Sequence, residues 1–270
     1  YYVFRGDFDL MSSWLQLIPK IIEYKFFRAF NAPKAMPFML TVSVTNRCNS
    51  RCKTCNIWKI YRDKPQLEKE ELSLQEFETV FENLGGSIIW FNISGGEPFL
   101  RPDLVDICKA MYERCSPKVF TIPTNGQLPY VIKEKTKEIL DTCNDATVVV
   151  NVSIDGIGKE HDEIRGVEGN FGRAREAIKG LKALKEEYNN LEFGVHSVVS
   201  KFNVNNMPNV YNYVKREFVP DSYICEPAEN RSELFNIKED IAPDVLLHEK
   251  WITQLCNHAK QDYYSASTGI

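Results

Sequence analysis

No apolar stretch in the 270 residues is long enough to cross a bilayer, since a spanning helix takes about 20 such residues. The chain also lacks the charged-then-apolar opening of a secretory leader. A cytoplasmic location is therefore expected. Positive charge is not in excess: 33 Lys and Arg stand against 37 Asp and Glu, a net charge of −4 with a pI near 5.7. That balance excludes a broad nucleic-acid surface, which needs a basic face, but not a small basic pocket. Internal repeats and low-complexity tracts are absent, which removes solenoids and arrays. The chain begins at Tyr1 rather than Met and stops at Ile270 without a closing feature, so trimming at one or both ends is expected.

What is present is ordinary for a globular chain, with 43% hydrophobic and 26% charged residues. The length suits one large α/β domain or two small ones, with a core that needs no disulfide or zinc staple. Eight cysteines exceed that need, and a secreted disulfide scaffold would be shorter and more evenly cysteine-rich. Three fall within Cys48–Cys55. Cys108, Cys115, Cys143 and Cys225 read as buried fillers, and Cys256 stands alone.

From Phe38 onward, strand and helix signals alternate. Strands are expected at Phe38–Val44, Ile88–Ile93, Val119–Pro123, Thr147–Ile154, Leu191–Val199 and Ser222–Cys225. Helices lie between them, one opened by the capping box Ser73-Leu74-Gln75-Glu76. The strands read as continuous apolar runs, the mark of burial on both faces, and six β-α units follow parallel βαβ construction. Periodicity allows a doubly wound sheet or an open, partial barrel. The charged stretch Arg62–Glu71 reads as a solvated loop. Residues Phe8 to Phe30 carry a helical apolar pattern interrupted by Pro19, which predicts a kink or two short helices. That segment reads either as a helix packed across the main domain or as an interfacial helix on a membrane surface. In the second reading Lys20, Lys25 and Arg28 meet headgroups beside Trp14, Phe26, Phe27 and Phe30.

The central feature is Cys48-Asn49-Ser50-Arg51-Cys52-Lys53-Thr54-Cys55, just after the first strand, where α/β folds build their sites. Iron–sulfur clusters take four cysteine thiolates as a rule. Three would leave one iron open to a small molecule. A zinc site would need a fourth ligand, and His161, His196, His248 and His258 are isolated; zinc and inert thiols remain the alternatives. After the second strand comes Ser94-Gly95-Gly96-Glu97-Pro98, which by itself is a tight turn. Thr124-Asn125-Gly126 ends the third strand. Ser153-Ile154-Asp155-Gly156 ends the fourth, followed by His161-Asp162 and Ile164-Arg165-Gly166.

In this order and at these strand ends, the segments resemble the radical S-adenosylmethionine (SAM) superfamily, in particular the core of its SPASM/MoaA-like branch. The resemblance covers roughly residues 38 to 231. It implies an α/β fold, a partial (β/α)6 TIM-like barrel with an N-terminal helical segment, and a [4Fe–4S] cluster on Cys48, Cys52 and Cys55. It places Gly95, Gly96 and Glu97 at the amino group of SAM, with Pro98 fixing the turn and Asn125 beside it. Ser153, Asp155 and Arg165 would hold the ribose and carboxylate, Arg165 through a guanidinium suited to bidentate pairing. The implied activity is reductive cleavage of SAM to a 5′-deoxyadenosyl radical that abstracts hydrogen from a substrate. An electron donor such as ferredoxin or flavodoxin is implied with it. One position departs from the pattern. Thr54 stands where many relatives carry an aromatic near the adenine, so Trp58 or an apolar residue of another strand must serve.

The expected organisation is an N-terminal helical segment over 1–36, the barrel over 37–231 and a helical extension over 232–270. Glu226, Asn230 and Arg231, polar for the end of a buried strand, are candidates for substrate or SAM contact or for a structural ion pair. No paired cysteine motif follows Arg231, so either the enzyme uses one cluster or an auxiliary-cluster extension lies beyond Ile270. A lipid substrate is slightly favoured over a peptide or small metabolite. A non-catalytic metal-binding module with a similar barrel is the competing class.

Overall fold

The computed structural model describes residues 2–4, 10–32 and 36–268. Six parallel strands form the sheet: β2 (Met39–Ser43), β3 (Trp90–Ser94), β4 (Val119–Thr124), β5 (Thr147–Ser153), β6 (Leu191–Val199) and β7 (Ser222–Pro227). They lie side by side in chain order, and a short β1 (Tyr2–Phe4) pairs antiparallel with β7 on the far edge. Strand order decides between the two architectures left open above. A doubly wound sheet reverses direction at a switch point, whereas this one winds one way throughout, as in a partial barrel.

The crossover helices are α3 (Leu74–Leu84), α4 (Leu104–Cys115), α5 (Pro129–Thr142), α7 (Asn170–Lys185) and α8 (Met207–Tyr213), the last continuing as a π-turn over Val214–Phe218. Ahead of them lie α1 (Leu10–Phe30) and α2 (Ile60–Asp63), α6 (Lys159–Arg165) precedes α7, and α9 (Val245–Thr268) closes the order. The capping box forms as expected: Ser73 accepts from the Glu76 amide, and Glu76 accepts from the Ser73 amide at 2.8 Å.

Burial along the strands alternates, which corrects the expectation of two buried faces. Phe91, Ile93, Phe120, Ile122, Val148, Val150 and Val195 are fully buried beneath the helices. Their neighbours Asn92, Thr121, Ser153, His196 and Glu226 face the barrel interior and stay partly exposed. The hydrophobic core therefore sits between sheet and helices. An aromatic ladder marks it, with Phe81 edge-on to Phe91 at 5.7 Å and Phe91 edge-on to Phe120 at 5.6 Å. α9 joins the same core: Trp251 packs on Tyr211, and its Nε1 donates to Cys225 Sγ at 3.3 Å. Cys108, Cys115, Cys143 and Cys225 are buried, as read from the sequence.

Two further expectations are corrected. α1 is one helical run through Pro19, so of the expected kink or two short helices the second does not form. Nor does it pack across the domain over its described side chains: Ile18, Ile22, Phe26 and Phe30 are 48–66% exposed. Among its ties to the barrel are Tyr24, which lies edge-on to Phe38 and donates to the Met36 carbonyl at 3.0 Å, and Glu23, which accepts from the Met36 amide at 3.3 Å. The side chain of Trp14 lies outside the described residues. No helix among the described residues is long and apolar enough to cross a membrane.

Candidate functional site

The cysteine loop is built as a continuation of the β2–β3 ladder. Beyond Ser43 the Val44 amide donates to Ser94, and the Gly96 and Glu97 amides donate back to Thr45 and Arg47, each at 2.8 Å. This explains the paired glycines more specifically than a ligand does. A Cβ on Gly95 would stand 2.2 Å from the Thr45 carbonyl oxygen, and one on Gly96 2.1 Å from that of Arg47. The close approach is to the cysteine loop itself.

The loop then crosses α6, where the Arg51 and Lys53 amides donate to the carbonyls of Arg165 and Ile164 at 2.9 Å. Gly166 permits this, since a Cβ there would lie 2.3 Å from the Arg51 oxygen. Farther on, Asn236 donates to the Thr54 carbonyl and the Asn56 amide to that of Leu234. From β4, Asn125 Nδ2 donates to Asn49 at 2.7 Å and lies 3.9 Å from Cys48 Sγ, while Gln127 donates to Ser50 at 2.7 Å.

Behind the loop stands a residue that sequence reasoning read as solvated. Glu71 Oε1 accepts from Thr45 Oγ1 at 2.6 Å, the Asn46 amide at 3.1 Å and Tyr61 OH at 2.5 Å. Its Oε2 pairs with Arg101 at 3.1 Å. Arg101 also donates to the Val44 and Leu72 carbonyls and to Asp103. Apart from Tyr61 and Asp103, their partners lie 25 to 57 residues away in the chain, so no local pattern announces them.

Cys48, Cys52 and Cys55 line one cavity of about 200 Å³ together with Gly95, Gly96, Asn125, Ser153, Arg165, Glu226 and Arg231. Glu97, Pro98, Asp155 and Asn230 do not line it. Glu97 is buried beneath the turn and accepts from Thr124 Oγ1 at 2.9 Å and from the Asn125 and Phe99 amides. Burial raises its carboxyl to about 7 against those three donors. Asp155 holds Arg165 Nη1 at 2.9 Å and accepts from the Val198 amide at 2.8 Å. Asn230 donates to the carbonyls of Asn236 and Glu239, within its own loop.

The His-Asp pair that follows β5 is architectural. His161 Nδ1 accepts from the Asp155 amide and its Nε2 faces Asn170 Oδ1, each at 3.1 Å. Burial lowers its pKa to about 4. Asp162 caps α7 by accepting from the Gly169 and Phe171 amides at 2.7 Å. At the far side of the mouth Arg231 pairs with Glu229 at 2.7 Å, and His196 Nε2 lies 3.2 Å from Glu226 Oε1. Thr54 lines the cavity, as do Ile57, Pro123 and Val198, while Trp58 does not.

The thiols suit a cluster more than a single ion. Among the described residues no three His, Cys, Asp or Glu side chains gather into a cage for one metal ion, whereas three cysteines spread around a cavity leave room for a larger group. Burial pushes Cys48 up to about 12 and raises Cys52 and Cys55, with the Arg165 cation pulling each of them down. Thiolates there call for further positive charge, which bound iron supplies. Arg165 is likewise incomplete: its buried Nε has no partner, so the cavity wall holds a guanidinium only partly satisfied.

The family model described as "Radical SAM superfamily" matches residues 42–204. The chain belongs to that superfamily of enzymes, whose cofactors are a [4Fe–4S] cluster and SAM. Fe-coproporphyrin III synthase of Methanosarcina barkeri is 32% identical over 182 residues, which is 66% of this chain and 41% of that protein. The subtilosin biosynthesis protein AlbA of Bacillus subtilis is 28% identical over 148 residues, 54% of this chain and 31% of that protein. The chain thus spans less than half the length of these curated relatives. Among solved structures, Streptococcus suis SuiB bound to its precursor peptide SuiA superposes with a TM-score of 0.61 at 15% identity. That match covers 93% of this chain and 52% of SuiB. SuiB has also been solved bound to SAM.

Proposed function

We propose that this chain is the catalytic core of a radical SAM enzyme, with Cys48, Cys52 and Cys55 as cluster ligands and the adjoining cavity as the SAM site. The observation that carries the reading is Arg165. It is a buried guanidinium held by Asp155, on the wall of the cavity that the three cysteines line, with an Nε that lacks a partner. A carboxylate would complete it. When bound, the cluster and SAM supply one-electron cleavage of SAM and hydrogen abstraction from an unreactive carbon of the substrate.

The remaining work belongs to the protein. Gly96 and Glu97 spend their amide hydrogens on the cysteine loop, so the Gly95-Gly96 turn offers carbonyl oxygen, the acceptor an ammonium needs. Ser153 stands beside Arg165 for the ribose. Ile57, Pro123 and Val198 supply apolar surface for the adenine in place of an aromatic before the third cysteine. Glu97 and Asp155 act from behind, by fixing the β4 turn and Arg165. Glu226 and Arg231 line the same cavity and are the side chains we assign to the substrate side. Asn230 is assigned to its loop.

For the substrate, the relatives' names point to tetrapyrroles and peptides, and we place a lipid behind both. The exposed apolar face of α1, flanked by Lys25 and Arg28, supports the interfacial reading of that helix separately from the question of substrate. Cosedimentation with anionic vesicles tests it, and equal sedimentation of the full chain and a chain starting near Ala35 would end it. The main reading is tested on protein reconstituted anaerobically with iron and sulfide. Visible iron–sulfur absorption and SAM-dependent 5′-deoxyadenosine are expected, and both should vanish when the three cysteines are replaced by Ala. Full iron in that variant would sink the ligand assignment.

A further inference from the structure

The sheet has two edges, and the chain covers one of them. β7 carries the short antiparallel β1, with Tyr2 to Phe4 set against Ser222 to Ile224. At the other end β2 pairs with β3 alone among the described residues. The Phe38 carbonyl accepts from the Ile89 and Trp90 amides, and the Val44 amide donates to Ser94, so the even-numbered residues are turned to β3. Alternate residues of a parallel ladder face opposite sides, which turns the backbone groups of Met39, Thr41 and Ser43 to the open edge. No hydrogen bond among the described residues takes them up there. Charged side chains and proline, which blunt bare edges elsewhere, are absent from Met39–Ser43.

A second cavity, of about 550 Å³, opens at the carboxyl end of this edge. Ser43 and Thr45 line it from β2 and its continuation, Ile60, Leu67 and Leu72 from the segment after the cysteine loop, and Phe235 from the segment after β7. Leu72 is 44% and Phe235 56% exposed, high for large apolar side chains. The charged residues on the wall are Glu70, Glu71 and Glu233, with no Lys or Arg among them. Arg101 pairs with Glu71 at 3.1 Å, whereas Glu70 and Glu233 are in no salt bridge among the described residues. Ile57, Gly95 and Leu234 line both this cavity and the one that holds the thiols. The two cavities therefore share a partition.

We propose that the β2 edge and this cavity together dock an extended polypeptide segment, apolar and basic by turns, which adds to the sheet as a further strand. Each part of the site selects for one property. Outward amides and carbonyls in alternation are answered by another backbone, as in other cases of strand addition, and neither a lipid tail nor a flat ring can answer them. The apolar wall takes side chains of one parity. The acidic rim, on a chain that is itself acidic, favours Lys or Arg on the incoming segment and disfavours Asp or Glu. A segment seated there ends at the partition with the thiol cavity. The docking stands by itself, whereas its use in presenting a residue to the radical rests on the cluster reading above.

The probe is a fluorescein-labelled hexapeptide of alternating Lys and Val, titrated by anisotropy against the reconstituted full chain. Two companion peptides carry N-methyl groups on the odd or on the even residues, each removing the donors of one edge while keeping every side chain. Blocking the edge that meets β2 should weaken binding about tenfold or more, since backbone hydrogen bonds supply the affinity of an added strand. Glu70→Lys with Glu233→Lys should weaken the unmodified peptide about tenfold and leave iron content unchanged. Raising salt to about 0.5 M should weaken the native complex and barely affect that variant, because exposed charges are then screened. Thr41→Pro removes one outward donor without touching the β3 ladder and should weaken binding by about threefold or more. If Thr41→Pro fails to fold, the N-methyl series makes the same comparison on native protein. Equal binding of all three peptides would overturn the proposal. So would native protein that ignores the peptides, whether or not phosphatidylcholine vesicles bind instead. Failure of the cluster reading shows separately, as absent iron in native protein with docking intact.

Discussion

The two sides of the barrel mouth are built differently. On the β2–β5 side, polar groups are spent on each other: Glu97 on the β4 turn, Asn125 on Asn49, Asp155 on Arg165, and Glu71 on three groups of or beside the cysteine loop. On the β6–β7 side, Glu226, Glu229 and Arg231 are partly exposed, paired mainly with each other or with His196. The first side is fixed before any ligand arrives, as shared cofactor chemistry needs. The second keeps exposed charge, and there one enzyme can differ from another without disturbing the cofactors.

The comparison breaks most visibly at Arg165. Arg165→Ala leaves the Asp155 carboxylate buried without its partner, which costs about 3–5 kcal/mol of stability. SAM affinity should fall by a further 1.5–3 kcal/mol, roughly 10- to 150-fold. Calorimetry of SAM binding and a melting curve read both effects, and unchanged affinity would remove Arg165 from the SAM site.

Gly96→Val comes next. The new side chain meets the backbone of Arg47, so the cysteine loop is disturbed along with any SAM contact. A stability loss of about 1–3 kcal/mol is expected, together with loss of most bound iron. Full iron retention would show that the loop can move away.

Acid and base limbs sharpen the same contrast. Glu97 is raised from 4.5 to about 7, so its contribution to stability is full below pH 4.5 and is lost as pH rises through 7. His161 is lowered from 6.5 to about 4, so its contribution is present above pH 6.5 and lost as pH falls through 4. Melting temperature against pH for cluster-free protein should therefore lose part of its neutral slope in Glu97→Gln and part of its acid slope in His161→Gln. Parallel curves for all three proteins would contradict both shifts.

The smallest effect is expected across the mouth. Arg231→Ala removes an exposed pair, worth at most about 1 kcal/mol, and should leave iron content and SAM affinity unchanged. A melting curve close to native, with altered turnover once a substrate is known, would support the assignment to the substrate side. A large loss of SAM affinity would move Arg231 to the cofactor side.

Much of this was legible in the chain itself. Apolar spacing placed all six parallel strands to within a few residues, and the ordered strand-end motifs named the family that the comparisons bear out. Cysteine spacing picked out the three thiols that line one cavity. What stayed hidden depends on contacts distant in sequence. Periodicity is the same for a doubly wound sheet and a barrel; strand order, a tertiary property, decides between them. Glu97 and Asp155 look in sequence like residues that touch a ligand, but their acceptor oxygens are taken by amides and a guanidinium brought in by other strands. Glu71 ends the charged run Arg62–Glu71 that reads as a solvated loop, and Trp58 reads as a candidate for the adenine. Folding buries most of Glu71 against groups from 10 to 30 residues away and sets Trp58 among cations. Local sequence carries propensity and ligand spacing, whereas the partner of a buried charge is fixed only when the chain closes on itself.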